Sequence, residues 1–114
     1  MLAKKFKLTG SKDFERVQNE GIVRQFKAFG LAILKRDDNL PSRFAFIVST
    51  KISKDAVDRN RFKRTMSEAV RLSSSILVPG FDVVFLAKTI IVKFPTSEVM
   101  NEVKNALKET GLSK

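Results

Sequence analysis

The segment from Phe81 to Lys88 limits the fold more than any other part of the sequence. The run Phe-Asp-Val-Val-Phe-Leu-Ala-Lys is almost continuously apolar and follows the turn signal Pro79-Gly80. A strand of this kind is apolar on both faces because both faces are covered by other parts of the protein. We therefore expect it to lie in the interior of a sheet.

Two further segments have the alternating pattern of strands. Phe29, Leu31 and Ile33 fall on one face of residues 28–36, and residues 43–50 alternate in the same way. Because a turn-forming segment of about five residues separates them, the pattern predicts an antiparallel pair. A short additional strand is compatible with residues 22–26. The neighbouring acids of the connecting segment, Asp37 and Asp38, are interpreted as turn residues and not as an acid–base pair.

The first predicted helix lies near the start of the chain. Ser11 is its expected cap, Phe14 and Val17 lie on one face, and Leu8 precedes the cap like a hydrophobic staple. Gly21 is expected to end this helix.

Two more helices follow. The central helix has Ser53 or Asp55 as its expected cap, and the last helix starts after Pro95 and ends near Gly111. The sequence does not decide whether residues 90–94 extend the preceding strand or form a loop.

The central helix contains the run Arg59-Asn60-Arg61-Phe62-Lys63-Arg64, which has four positive charges and no acid. Like charges this close together destabilise an isolated helix. Arginine forks and a mobile lysine suit a polyphosphate backbone, so the run predicts an anionic partner. The simpler alternative is a solvated basic surface without a function.

The helical period divides the positive charges into two groups. At about 100° per residue, Phe62 falls on the buried stripe with Met66, Ala69 and Val70. The polar side chains expected to point outward are Asn60, Arg61, Arg64 and Arg71. Arg59 and Lys63 flank the apolar stripe. Phe62 is therefore predicted to anchor the helix in the core.

Composition narrows the choice of partner. The 114 residues are enough for one domain, residues 1–114, and 22 Lys and Arg against 12 Asp and Glu give a net charge of +10. Such a charge favours nucleic acid as the partner. No apolar run approaches the roughly 18 residues of a membrane span, and the start, Met1 to Lys5, does not resemble a signal peptide. We expect a cytoplasmic protein without a membrane partner.

The chain contains no His and no Cys, the usual protein ligands of zinc and the usual residues of nucleophile–base pairs. We therefore expect no zinc site and no catalytic residues in the protein. Any metal is expected to be bound by oxygen and to be brought mainly by the partner.

The run from Arg59 to Arg64 resembles the Arg-Asn-Arg-x-Lys-Arg motif of the protein subunit of bacterial ribonuclease P. Further segments support the resemblance, which covers nearly the whole chain. They are Asp13-Phe14, Val48-Ser49-Thr50-Lys51, Ala56-Val57 and Pro79-Gly80-Phe81-Asp82-Val83-Val84.

The resemblance implies an α/β fold of the two-layer α+β kind. About four strands are packed by three helices, as in a ribosomal-protein domain, with a left-handed βαβ crossover. It also implies a function: the family removes the 5′ leader of precursor tRNA, with catalysis carried by an RNA subunit and its Mg²⁺ ions. The implied partners are the catalytic RNA and precursor tRNA.

The resemblance also implies site residues. RNA binding is assigned to Arg59, Asn60, Arg61, Lys63, Arg64, Arg71 and Lys51. A leader cleft between the central helix and the sheet is assigned to Phe14, Lys51, Arg59 and Lys63. Gln18 stands where many members have a second aromatic, and Ser67 stands where many have a further Arg.

Two other functions are compatible with the positive net charge and the basic central helix. A DNA-binding module would lay the helix in the major groove, where Asn60 and the arginines would contact bases. The strands on both sides of the helix favour packing on a sheet over a helix-turn-helix. A structural, ribosomal-type RNA-binding protein differs from the first interpretation only through the family resemblance.

Overall fold

A computed structural model of the chain describes residues 2–114, so Met1, the first residue of the segment compared with a signal peptide, lies outside the described residues. The chain forms three α-helices and four strands, as expected. These are α1 (Ser11–Glu20), β1 (Ile22–Gln25), β2 (Phe29–Lys35), β3 (Arg43–Ile47), α2 (Ala56–Leu72), β4 (Phe81–Ala87) and α3 (Thr96–Glu109). Short 3-10 helices cover Lys4–Phe6, Ser74–Ile76 and Thr89–Lys93. The last of these occupies the segment that the sequence left undecided.

The four strands form one sheet in the order β1-β2-β4-β3. β4 pairs antiparallel with β2 and parallel with β3. The predicted hairpin between β2 and β3 is therefore wrong, because β4 lies between them. The apolar character of β4 on both faces explains its central place, which the sequence correctly indicated.

The sheet is covered on both faces. Phe29, Leu31 and Phe85 belong to the main core cluster with α2 and α3, whereas Ala32 and Val84 pack with α1 through a second cluster. Neighbouring residues of a strand point to opposite faces, so Leu31 and Phe85 contact the side of α2 and α3, whereas Ala32 and Val84 contact the side of α1.

The expected α+β class is confirmed. The expected two layers describe only the sheet with α2 and α3, and α1 adds a partial third layer. The β3–α2–β4 connection is a crossover between parallel neighbours, and its left hand stays a prediction.

The helix ends confirm some of the predicted signals. Asp55 caps α2, since its carboxylate accepts a hydrogen bond of 2.9 Å from the Val57 amide. Ser11 is the first residue of α1 and not its cap, because Gly10 occupies the cap position without a side-chain hydrogen bond. Gly21 ends α1 as expected, and a Cβ there would meet the Val17 carbonyl oxygen at 2.4 Å. Only glycine fits this close approach.

Candidate nucleic-acid interface

The helix α2 is held on the sheet by its apolar stripe. Phe62 is only 5% exposed, and Met66, Ala69 and Val70 are fully buried. The Arg61 guanidinium lies over the Phe62 ring, 5.0 Å from its centroid. Phe62 therefore anchors the helix, as the sequence predicted, and also orients the neighbouring arginine.

The outward group of α2 presents cations with little compensation. Asn60, Arg61 and Arg64 are exposed, and the Arg61 side chain keeps 59% of its surface accessible. Its nearest carboxylate, Asp58, is 3.9 Å away, at the limit of an ion pair. Arg64 makes no ion pair within residues 2–114, and only a long contact of 3.4 Å joins its Nε to the Asn60 carbonyl. Both guanidiniums can therefore donate hydrogen bonds to phosphate oxygens.

The second group, Arg59 and Lys63, is half-buried. Arg59 donates a hydrogen bond of 2.8 Å to the Ser53 carbonyl, which ties it to the segment before α2. Lys51 lies in that segment and is exposed. Lys51 and Lys63 have no ion-pair partner in the described part of the chain. These three cations thus extend the positive surface toward the start of α2.

Arg71 differs from the other predicted cations because it already has an anionic partner. Its guanidinium binds both carboxylate oxygens of Glu68, with 2.9 Å from Nε to Oε2 and a shorter contact from Nη2 to Oε1. These hydrogen bonds raise the pKa of Arg71 and lower the pKa of Glu68. A phosphate at Arg71 would have to displace this carboxylate.

Phe14 lies on the face of the sheet opposite to α2. It is half-buried on α1 and packs with Leu8 and Val17 in the second core cluster. The space between α2 and the sheet is filled by the main core, so the expected cleft containing Phe14 with Arg59 and Lys63 is not formed there. The strand alternation that places α1 and α2 on opposite faces is the physical reason.

Phe14 nevertheless borders a partly open apolar surface. Ala45, Ile47 and Leu86 belong to the same cluster and are only partly buried. Leu86 pairs in register with Ile47 on one side and with Gly30 on the other. We call the surface formed by Phe14, Ala45, Ile47 and Leu86 the α1 face.

Sequence reasoning missed a charged network beside the α1 face. Asp82, on β4, is fully buried and accepts hydrogen bonds from Arg36 Nη1 at 2.6 Å and from Arg43 Nε and Nη2 at 2.9 and 2.8 Å. These bonds raise the pKa of Arg43 against the opposing effect of burial. The single acid in the apolar run from Phe81 to Ala87 was the available signal, because a buried carboxylate requires cationic partners.

The network connects the helix α1 to three strands. Arg43 also lies 3.4 Å from Asp13, and Arg16 lies 3.9 Å from Asp82. Its members therefore join the ends of β2, β3 and β4 to α1. Asp82 and Arg36 are buried or nearly so, whereas Asp13, Arg16 and Arg43 keep an exposed fraction. The buried centre of the network therefore stabilises the fold.

Among residues 2–114 there is no group of three or more acidic, His or Cys side chains that would hold a metal ion. None of the helices in this part of the chain is long and apolar enough to cross a membrane.

A cationic helix on an α+β sheet, with little compensation of its outward charges, is typical of a nucleic-acid-binding protein. A profile of the family described as Ribonuclease P matches residues 2–111. The ribonuclease P protein component of Caldanaerobacter subterraneus subsp. tengcongensis is 34% identical over 119 residues, covering 98% of this chain and 95% of the relative. That of Clostridioides difficile is 33% identical over 102 residues, covering 89% and 88%.

The fold agrees with these similarities. The solved structure of the Staphylococcus aureus RNase P protein matches with a TM-score of 0.88 at 22% identity, covering 97% of this chain and 100% of that one. The chain belongs to the ribonuclease P protein family. Members are accessory subunits of the endoribonuclease that processes the 5′ ends of tRNA, which implies an RNA partner. The identification from sequence is confirmed, and the DNA-binding and ribosomal alternatives are not favoured.

Proposed function

We propose that α2 binds the catalytic RNA of ribonuclease P and that the protein promotes removal of the 5′ leader from precursor tRNA. The observation that carries the proposal is the outward surface of α2, where Arg64 has no ion pair within residues 2–114 and Arg61 has only the contact of 3.9 Å with Asp58. Guanidiniums that are so weakly paired bind phosphates at little cost in broken salt bridges. Asn60, Lys51, Arg59 and Lys63 extend the proposed RNA-binding surface. Arg71 belongs to it only if Glu68 is displaced.

The proposal assigns the hydrolytic chemistry and Mg²⁺ to the RNA partner. Among residues 2–114, acidic, His and Cys side chains form no group of three or more that would hold a metal ion. The contribution of this chain is therefore to neutralise phosphates and to hold the RNA and substrate in position. These RNA partners also support the expected cytoplasmic location.

The leader is proposed to lie on the α1 face. Phe14, Ile47 and Leu86 are apolar and partly exposed there. Aromatic contact with a single-stranded base contributes about 1–3 kcal/mol and depends little on sequence. The α1 face thus suits a single strand of variable sequence better than the filled space under α2.

Reconstitution tests the proposed function. At physiological Mg²⁺, we expect the protein to restore 5′ processing of precursor tRNA by a bacterial ribonuclease P RNA. The protein alone should not cut precursor tRNA, since catalysis is assigned to the RNA. Failure to stimulate the RNA would overturn the proposal. Cleavage by the protein alone, after stringent removal of contaminating nucleases, would also overturn it.

Replacing Phe14 by Ala tests the α1 face. Loss of one stacked base predicts a roughly 5- to 150-fold weaker affinity for precursor tRNA, with little change for mature tRNA, which has no leader. Binding of both RNAs to the reconstituted complex measures the difference.

The matched control is Phe26→Ala, since Phe26 is also half-buried but packs against the main core cluster. It should not discriminate between the two RNAs. Equal losses for precursor and mature tRNA in Phe14→Ala would show that Phe14 only packs the fold.

A further inference from the structure

A hollow of about 330 Å³ lies between α2 and the start of α3. Its lining includes Arg61, Phe62 and Thr65 from α2, Lys93 from the preceding 3-10 helix, and Thr96 and Val99 from α3. We call it the α2–α3 hollow. It joins the exposed edge of the cationic helix to a part of the chain that the basic motif does not include.

The charge of the α2–α3 hollow is entirely positive. None of its described lining residues is Asp or Glu, and it contains two cations, Arg61 and Lys93. The hollow beside β1 and α3 differs, since its lining includes three acids, Glu98, Glu102 and Glu109, and one cation, Lys27. The start of α3 therefore lies between a cationic hollow on the α2 side and a mainly acidic hollow on the β1 side.

The two cations of the hollow lack strong partners. Lys93 is exposed and forms no ion pair within residues 2–114, and Arg61 has only the contact of 3.9 Å with Asp58. Two positive charges that face one concave site repel each other, and an anion between them removes this repulsion. The apolar side chains of Phe62 and Val99 strengthen the attraction by limiting water around the anion.

One hydroxyl group of the hollow, that of Thr96, favours an oxyanion. Thr96 is exposed, and its hydroxyl makes no hydrogen bond in the described part of the chain, so it can donate to an oxygen of the ligand. The Thr65 hydroxyl already donates to the Arg61 carbonyl at 2.9 Å, which leaves its oxygen as an acceptor only. A guanidinium, an ammonium and one free hydroxyl match a phosphate group.

We propose that the α2–α3 hollow binds a backbone phosphate of the catalytic RNA, with Lys93 and Thr96 acting beside Arg61. This inference rests on the proposed function for the identity of the RNA, and on the hollow itself for the phosphate chemistry. It extends the RNA-binding surface from α2 to the start of α3 and assigns a role to Lys93.

Salt-dependent binding of a bacterial ribonuclease P RNA tests the assignment. Lys93→Ala should make the slope of log K against log salt concentration less steep by up to about 0.7–0.9, the value for one phosphate contact that is lost completely. The matched control is Lys108→Ala, which removes the same charge from an exposed position of α3 outside the hollow. It should leave the slope nearly unchanged. Equal slopes for both variants and the wild type would overturn the assignment to RNA.

A double-mutant cycle tests whether Arg61 and Lys93 share one phosphate. If they do, the combined loss in Arg61→Ala/Lys93→Ala should be smaller than the sum of the single losses. Additive losses would place the two cations on separate phosphates and would contradict the shared site.

Titration of the free protein with inorganic phosphate shows whether the hollow binds free phosphate, as distinct from a backbone phosphate of the RNA. Amide signals of Lys93 and Thr96 should shift in the NMR spectrum, those of Lys108 should not, and Lys93→Ala should abolish the response. Phosphate binding with an unchanged RNA slope would assign the hollow to free phosphate and overturn the RNA contact. If the wild type does not bind the RNA, the proposed function fails, and the phosphate titration still decides whether the hollow is an anion site.

Discussion

Replacing Asp82 by Ala is expected to lower the free energy of unfolding by about 3–5 kcal/mol, the usual result of removing one partner from a buried ion pair. Arg36, which is only 8% exposed, would keep its charge without its closest carboxylate at 2.6 Å. Arg43 would lose two hydrogen bonds at the same time. Urea unfolding followed by circular dichroism measures the change, which is large against the roughly 5–15 kcal/mol of typical domains.

A matched control distinguishes the effect of removing a buried carboxylate from the effect of removing a negative charge in general. Asp37→Ala removes an exposed carboxylate one position from Arg36 and has no described ion pair to break, so the change should stay within about 0.5 kcal/mol. Similar losses in the two variants would show that the network around Asp82 does not stabilise the fold.

The second large effect concerns RNA affinity. Arg61→Ala combined with Arg64→Ala should weaken assembly with the catalytic RNA by more than about 100-fold, because each charged hydrogen bond contributes roughly 1.5–3 kcal/mol. The slope of log K against log salt concentration should become less steep by up to about 1.4–1.8, the value for two phosphate contacts that are lost completely. Filter binding over a series of salt concentrations measures both quantities.

The control for this pair is Arg24→Ala combined with Lys108→Ala, which removes two exposed charges from β1 and from the end of α3. Its affinity should change far less, and its slope should stay close to that of the wild type. An unchanged slope in the Arg61 and Arg64 variant would exclude phosphate contacts at these positions. Urea unfolding of each variant shows whether loss of the Arg61–Phe62 contact also affects stability.

Local sequence signals were sufficient to predict the helices and strands and the buried residues that anchor α2. The Asp55 cap lies one residue before the helix, and the spacing of Phe62, Met66, Ala69 and Val70 identified its buried stripe. The continuous apolar run of β4 indicated an interior strand. Such signals are carried by neighbouring residues, which is why sequence periodicity shows them.

Contacts between residues far apart in the sequence could not be predicted from local patterns. Arg43 and Asp82 are 39 positions apart, and no local pattern shows that β4 separates β3 from β2. The helical pattern of α1 identified its apolar side, but not the face of the sheet that it covers. Phe14 was consequently expected between α2 and the sheet, whereas it packs with α1 on the opposite face. Lys93 was overlooked because it lies in the segment whose structure the sequence left undecided.

The central position of β4 has a consequence for the newly made chain. β3 ends at Ile47 and β4 ends at Ala87, so 40 further residues must be synthesised before β2 and β3 gain their common neighbour. At roughly 5–20 residues per second, two strand edges stay unpaired for about 2–8 s, and such edges are sites of aggregation. The whole of α2 is made within this interval. The helix α2 therefore leaves the ribosome before the strand that completes the sheet beneath it.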